Sequence, residues 1–320
     1  MDALWIMLRN VIVFVALALP GVILIKTKLL SQEHSGALSK LLMYVGMPFL
    51  ILSSTINNIK FDMNLLATIG IVAAVGIVYT LVMFFLSQPL TAMEREEKTR
   101  GMMRFSAVFT NNGFLGIPLA MAVFGADSQV LMVVIIINII TNILMYTLGI
   151  YLISGDKEMI SLKKAFLNPV LIAFVVGVIL NLLNVKAYVP EISTFSTHFS
   201  NIVTPISMTI LGMKMGGVNF LDLFKSWKTY YVAALKLIIF PVVIVGILFA
   251  MRALIPNGFI GADMILGVFI AFAMPTAGLA STFSDQFDGD TQNAVSFTLG
   301  TTVLSIVTIP LLYWAICALI

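Results

Sequence analysis

The chain has 320 residues, of which 60% are hydrophobic and only 10% are charged, with a mean hydropathy of +1.06. About a quarter of the residues in a soluble domain are charged, so this composition excludes a soluble protein. It indicates a chain that crosses the lipid bilayer several times. The net charge of +3 is too small to indicate a nucleic-acid partner. The single cysteine, Cys317, excludes an intrachain disulfide.

Apolar runs predict where the chain crosses the membrane, because one helical span needs about 20 apolar residues. Ten such runs, numbered here as spans 1 to 10, cover residues 5–25, 37–56, 65–90, 103–124, 128–153, 166–185, 199–218, 229–254, 263–283 and 292–319. No long linker separates them. We therefore expect an all-α polytopic membrane protein with ten transmembrane helices.

Basic residues predict the orientation of the spans, because cytoplasmic loops carry an excess of Lys and Arg. The odd-numbered loops hold most of them: Lys26, Lys28, Lys40, Arg95, Lys98, Arg100, Arg104, Lys157, Lys163, Lys164, Lys214, Lys225 and Lys228. The ninth loop is acidic, but acidic residues contribute little to this rule. We expect a multi-pass protein of the inner cell membrane, with both termini outside the cytoplasm.

Span 4 contains the sequence Asn-Asn-Gly-Phe-Leu-Gly-Ile-Pro, which disfavours a continuous helix. Pro118 lacks a backbone N–H and clashes with a preceding carbonyl, while Gly113 and Gly116 leave helical geometry at low cost. Asn111 and Asn112 would be penalised in hydrocarbon unless they are paired or face a cavity. We predict a broken helix, which replacement of Pro118 should straighten. The alternatives are an ordinary kink and asparagines that only join helices.

An internal repeat relates the two halves of the chain. Corresponding positions recur in order, namely Gly21 and Gly177, Pro48 and Pro205, and Pro118 and Pro275. The two prolines within each half are 70 residues apart in both halves. Residues 1–155 and 156–320 each hold five spans, and an odd number requires the halves to lie in opposite orientations. This is the inverted-repeat plan of secondary transporters.

The repeat pairs span 4 with span 9, and interrupted spans at matching positions indicate a substrate site. A half-helix can restart after each proline, and its first N–H groups, which lack intrahelical partners, attract anions. If spans 4 and 9 cross at their prolines, the N–H groups that converge are those of Leu119, Ala120, Thr276 and Ala277. The unwound carbonyls could instead hold a cation.

Span 5 adds polar side chains on one helical face, Asn138, Thr141 and Asn142, at the spacing i, i+3, i+4. This face could line the site or only join helices, and Asn142 is the member that we place in the site. Its counterpart in span 10 consists of Thr298, Thr301 and Thr302.

Lys236 lies within span 8 and is the candidate coupling residue, because an ionisable group inside the membrane indicates function. The alternative is that its side chain extends to the cytoplasmic surface. Coupling could also use Asp62, Asp263 or a metal ion held by carbonyls. The sequence contains no metal-ligand spacing, nucleotide-binding loop or catalytic constellation, so we expect neither a resident metal nor a cofactor, and no enzyme.

The span 4 motif resembles the signature of the auxin efflux carrier family, which includes plant PIN carriers and bacterial malate and malonate permeases. The resemblance extends over the whole chain, through the spans of Pro48, Pro205 and Pro275 and the sequence Leu167-Asn168-Pro169. The connection between the halves is short, as in bacterial members. The resemblance implies a scaffold of spans 1, 2, 6 and 7 and a moving transport domain of spans 3–5 and 8–10, with Asn112 at a substrate-binding position.

We therefore predict a secondary transporter of a small organic anion (a carboxylate, dicarboxylate or auxin-like acid) that works by elevator-type alternating access. The alternatives are a sodium-coupled symporter of bile-acid type and a membrane sensor that binds its ligand without transport. Expected partners are the carboxylate and the bilayer, and a homodimer is left open. The candidate substrate-binding residues are Asn111, Asn112, Gly113, Gly116, Pro118, Leu119, Asn142, Pro275, Thr276 and Ala277.

Overall fold

The computed structural model describes residues 2–58, 63–125, 128–160, 163, 166–219, 223–254 and 260–320. The described residues form helices, together with one isolated β-type pairing between Thr110 and Thr276. Helices suit an apolar chain because they satisfy their own backbone N–H and C=O groups, which lipid cannot do. The prediction of an all-helical protein is confirmed.

Within the described residues, the first half of the chain forms six helices. They are α1 (Asp2–Lys26), α2 (residues 34–58), α3 (Met63–Leu90), α4 (Glu97–Val108), α5 (Asn112–Phe124) and α6 (Gln129–Ser154). Wider π-helical turns occur in α2, α5 and α6, at Leu42–Gly46, Asn112–Gly116 and Met145–Gly149. Span 4 therefore consists of two helices, with residues 109–111 between them.

The part of the second half that the structure describes contains the following helices. They are α7 (Pro169–Leu182), α8 (Val185–Tyr188), α9 (Glu191–Ser200), α10 (Val203–Gly216), α11 (Trp227–Leu254), α12 (Ala262–Ala273), α13 (Ala280–Gln286) and α14 (Thr291–Cys317). A π-helical turn in α11 covers Leu235–Ile239. Span 9 corresponds to α12 and α13, and residues 274–279 connect them.

Several of these helices are long and apolar enough to cross a membrane. Among the described residues they are residues 34–56 of α2, residues 67–90 of α3, and α6, α11 and α14. Shorter apolar helices are α5, α7, α12 and residues 16–26 of α1. The protein is a multi-pass membrane protein.

The helices α1 and α10 pack closely because both carry glycine where they meet. A Cβ atom on Gly212 would overlap the carbonyl oxygen of Ala18, and one on Gly21 would overlap the carbonyl oxygen of Thr209. Such a contact between backbones is typical of small residues in membrane helix pairs.

Gly212→Val is expected to lower the free energy of unfolding by about 1–3 kcal/mol or more, because overpacking here forces backbone atoms apart. The matched control is Gly246→Val in α11, where an added Cβ meets nothing within 4 Å. Thermal unfolding of both variants in detergent measures the difference. Equal unfolding temperatures would contradict the close α1–α10 contact.

Ion pairs join the third, seventh and ninth loops on one face of the molecule. Lys98 pairs with Asp288 at 2.7 Å, and Lys228 pairs with Glu94 at 2.6 Å. The hydrogen bond from Lys228 lowers the pKa of the Glu94 carboxyl below its ordinary value. The acidic ninth loop thus lies beside two basic loops, as an orientation with all three on the same side of the membrane requires.

Candidate functional site

The two interruptions of the helical path lie side by side, where short extended segments replace helix. Phe109, with φ −90° and ψ 133°, follows α4, and Met274, with φ −65° and ψ 151°, follows α12. The segments run antiparallel. The Asn111 N–H donates to the Pro275 carbonyl at 2.8 Å, and the Ala277 N–H donates to the Phe109 carbonyl at 3.1 Å. The backbone groups that lose helical partners therefore bond to each other.

Two threonines fix the paired segments in place, because each donates a hydrogen bond to the helix that precedes the other segment. The Thr110 hydroxyl donates to the Ala271 carbonyl at 2.7 Å, and the Thr276 hydroxyl donates to the Ser106 carbonyl at 3.0 Å. The Thr276 N–H donates to the Thr301 hydroxyl at 3.1 Å. Each interruption thus bonds to the last turn of the other interrupted helix, which satisfies polar groups that would be costly in a membrane.

The predicted set of free N–H groups is wrong. The N–H groups of Thr276 and Ala277 are taken up by the pairing. Leu119 and Ala120 follow a complete π-helical turn, so they lie inside α5 rather than at its start. At the start of α5, the N–H groups of Asn112, Gly113 and Phe114 precede the first backbone bond of the helix, in which the Leu115 N–H donates to the Asn111 carbonyl at 3.1 Å.

Of the two prolines at which the sequence predicts a crossing, only Pro275 lies beside the paired segments. Pro275 immediately precedes Thr276 in the pairing, but Pro118 follows Thr110 by eight residues and lies within α5. A residue before proline disfavours helical geometry, which accounts for the extended Met274. Ile117 nevertheless stays helical, with φ −61° and ψ −51°, because the wider π-helical turn before it makes room for the proline ring.

Asn112 is held by side chains of α6. Its Nδ2 donates to the Thr141 hydroxyl at 3.0 Å, and Asn138 Nδ2 donates to Asn112 Oδ1 at 2.8 Å. Asn142 Nδ2 donates to the Asn138 carbonyl at 2.8 Å. The polar face of α6 therefore fixes the start of α5, so this face joins helices as well as lining the cavity described next.

A cavity of about 50 Å³, the asparagine cavity, lies beside the paired segments. Five carboxamides border it, those of Asn111, Asn112, Asn138, Asn142 and Asn168. Among the described residues that line it, no side chain carries a charge. Sequence reasoning missed Asn168, which also accepts the Val170 N–H at 2.9 Å as the N-cap of α7. An asparagine directly before a proline that starts a helix was the available signal.

The predicted site residues divide into two groups. Asn111, Asn112, Gly113, Asn142 and Ala277 line the asparagine cavity. The others lie outside it: Leu119 and Pro275 line a separate apolar cavity of about 120 Å³, and Gly116, Pro118 and Thr276 are buried.

A larger cavity of about 480 Å³, the vestibule, adjoins the asparagine cavity. Asn111, Phe114, Tyr146 and Gly278 border both cavities. Two lysines, Lys40 and Lys214, line the vestibule only. The vestibule thus connects basic loop ends with the asparagine side chains.

Lys236 does not extend to the surface, so the alternative that its ammonium reaches the aqueous phase is wrong. The residue is fully buried, and its Nζ donates to the carbonyl oxygens of Ala107 at 3.4 Å and Val108 at 3.3 Å. Those carbonyls end α4 and lack intrahelical partners, which explains why they accept from the Lys236 side chain. Asp263 is exposed at the start of α12, and Asp62 lies outside the described residues.

Two comparisons with known proteins agree with this arrangement. A family model described as membrane transport protein matches residues 6–313. An uncharacterized transporter of Methanothermobacter thermautotrophicus is 28% identical over 311 residues, which cover 96% of this chain and 97% of the relative. The chain belongs to the membrane transport protein family, the auxin efflux carrier and PIN-like family that its span 4 motif resembles.

Proposed function

We propose that this protein is a secondary transporter of a small organic anion, such as a carboxylate, a dicarboxylate or an auxin-like acid. The observation that carries the proposal is the asparagine cavity beside the paired interruptions of spans 4 and 9. Its carboxamides and the first-turn N–H groups of α5 are donors suited to a carboxylate.

Ten spans in two inverted five-helix repeats, residues 1–155 and 156–320, form the proposed architecture. Two close helix contacts support it. Gly21 of α1 meets Gly212 of α10, and Gly177 of α7 meets Thr55 of α2. The partners correspond in the repeat, since Gly21 and Gly177 are 156 residues apart and Thr55 and Gly212 are 157 apart.

Elevator-type alternating access is the proposed mechanism. Spans 1, 2, 6 and 7 form the scaffold, and spans 3–5 and 8–10 carry the site across the inner membrane. With both termini outside the cytoplasm, the vestibule opens to the cytoplasmic side, because Lys40 and Lys214 flank cytoplasmic loops. The asparagine cavity lies between the two groups of helices, since Asn168 begins span 6 and Asn111 belongs to span 4.

The position of Lys236 argues against the alternative of sodium coupling. Its ammonium already binds the carbonyls that a cation at this interruption would need. We therefore favour a transporter in which this lysine, as the coupling candidate, supplies the positive charge and sodium is dispensable. Uptake that depends on sodium would favour the symporter instead.

A ligand screen followed by a transport assay tests the proposal. Purified protein is screened for thermal stabilisation by monocarboxylates and dicarboxylates at two sodium concentrations. The stabilising anion is then used in counterflow with proteoliposomes. Stabilisation with counterflow supports a transporter, binding without exchange supports the sensor, and the absence of any carboxylate response refutes the proposal.

Asn111→Ala is expected to weaken carboxylate binding by about tenfold with little change in stability. Within the described residues, the Asn111 carboxamide has no hydrogen-bond partner and faces the cavity. Asn112→Ala should also weaken binding, but at an added cost of about 1–3 kcal/mol in unfolding free energy, because it leaves buried partners unpaired. Ligand titrations monitored by thermal unfolding separate the two effects. Unchanged affinity in both variants would contradict the assigned site.

A further inference from the structure

Lys214 occupies a position that its sequence context did not single out. It lies in the last turn of α10 and donates from Nζ to the Gly278 carbonyl at 3.0 Å. Gly278 belongs to the connection between α12 and α13 and borders both the vestibule and the asparagine cavity. The hydrogen bond therefore joins span 7 to the interruption of span 9, at the passage between the two cavities.

In the part of the chain that the structure describes, no acidic side chain neutralises the charge of Lys214. Among the described residues, no carboxylate forms an ion pair with Lys214, and none lines the vestibule. Its one hydrogen-bond acceptor in this part of the chain is the neutral carbonyl of Gly278. A carboxylate that entered the vestibule would offer a stronger acceptor, because the attraction between opposite charges adds to the hydrogen bond and is larger inside a protein than in water.

We propose that Lys214 binds the carboxylate of the transported anion and releases the Gly278 carbonyl when it does so. This inference rests on the proposed function and adds a residue that senses the ligand. The Lys214–Gly278 bond joins the scaffold to the transport domain. The elevator motion moves one past the other, so this bond must break. Exchange of the carbonyl for a carboxylate breaks this direct bond between span 7 and span 9 when the site is loaded.

The charge and the hydrogen bond of Lys214 can be tested separately. Lys214→Gln keeps a donor for the Gly278 carbonyl but loses the charge, and Lys214→Arg keeps the charge. We expect Lys214→Gln to raise the half-saturating concentration of the stabilising carboxylate at least about tenfold, in thermal titration and in counterflow. Lys214→Arg should stay within about threefold of the unsubstituted protein. Lys40→Gln, in the same vestibule, is the matched control and should change the concentration by less than about threefold.

Each outcome separates this inference from the function on which it rests. Unchanged affinity in Lys214→Gln, with the unsubstituted protein still responding to the carboxylate, overturns the role of Lys214 alone. An equal loss in Lys40→Gln also overturns it, because the effect would then be general electrostatic attraction. If the unsubstituted protein responds to no carboxylate, both the proposed function and this inference fail. If Lys214→Gln does not fold, Lys214→Met takes its place, since it also removes the charge, and unchanged affinity in that variant overturns the role of Lys214.

Discussion

Lys236→Met is expected to reduce transport at least about a hundredfold while changing the free energy of unfolding by less than about 2 kcal/mol. Two opposing effects on stability are of similar size. Burying an ammonium costs several kcal/mol, which methionine avoids, whereas each buried carbonyl left without a donor costs about 1–3 kcal/mol. For transport, no second effect offsets the loss. Among the described residues, Lys236 is the one side-chain donor to the carbonyls of Ala107 and Val108.

The experiment combines thermal unfolding with counterflow in proteoliposomes. Lys98→Met is the matched control, because Lys98 is half exposed and its pair with Asp288 contributes at most about 1 kcal/mol. A second measurement tests the place of the ammonium. Sodium should raise the unfolding temperature of Lys236→Met, but not of the unsubstituted protein, if the vacated carbonyls can accept a cation. Wild-type transport by Lys236→Met would contradict a functional role for this lysine.

Composition and periodicity were sufficient for the fold class. Apolar runs predict helices because membrane spans must satisfy their own backbone groups, and this constraint acts on each span separately. The polar face of α6 could also be predicted, since Asn138, Thr141 and Asn142 share one side of a helix by spacing alone. Their tie to Asn112 follows once spans 4 and 5 pack together.

The position where the interruptions pair could not be predicted, because it depends on contacts between distant parts of the chain. Equal intervals between prolines suggested that Pro118 and Pro275 are equivalent. The pairing instead joins Thr110 to Thr276, and hydroxyl bonds to the opposite helices fix it there. Lys214 was missed for a related reason. In the sequence, Lys214 only contributes to the charge of a loop. Its partner Gly278 is 64 residues further along the chain, so the contact cannot be read from local spacing.

Pro275→Ala and Pro118→Ala are expected to differ, although the repeat treats these prolines as equivalent. Alanine at position 275 adds a buried N–H beside the pairing and frees Met274 to become helical. The added N–H without an acceptor should cost about 1–3 kcal/mol in unfolding free energy, and transport should fall at least about tenfold. Alanine at position 118 lies within α5, where a new N–H can donate along the helix. Its transport should stay within about threefold, because residues 109–111 remain held by Thr110 and Asn111.

This comparison tests which feature creates the interruption of span 4. The sequence alone predicts that Pro118 breaks the helix, so that its replacement straightens span 4 and impairs transport. The structure assigns the interruption to the bonds of Thr110 and Asn111 with span 9, and these bonds do not involve Pro118. Thermal unfolding and counterflow on both variants decide between the two explanations. An equal loss of transport in both would restore the proline explanation, whereas a loss confined to Pro275→Ala would place the origin of the interruption in the pairing itself.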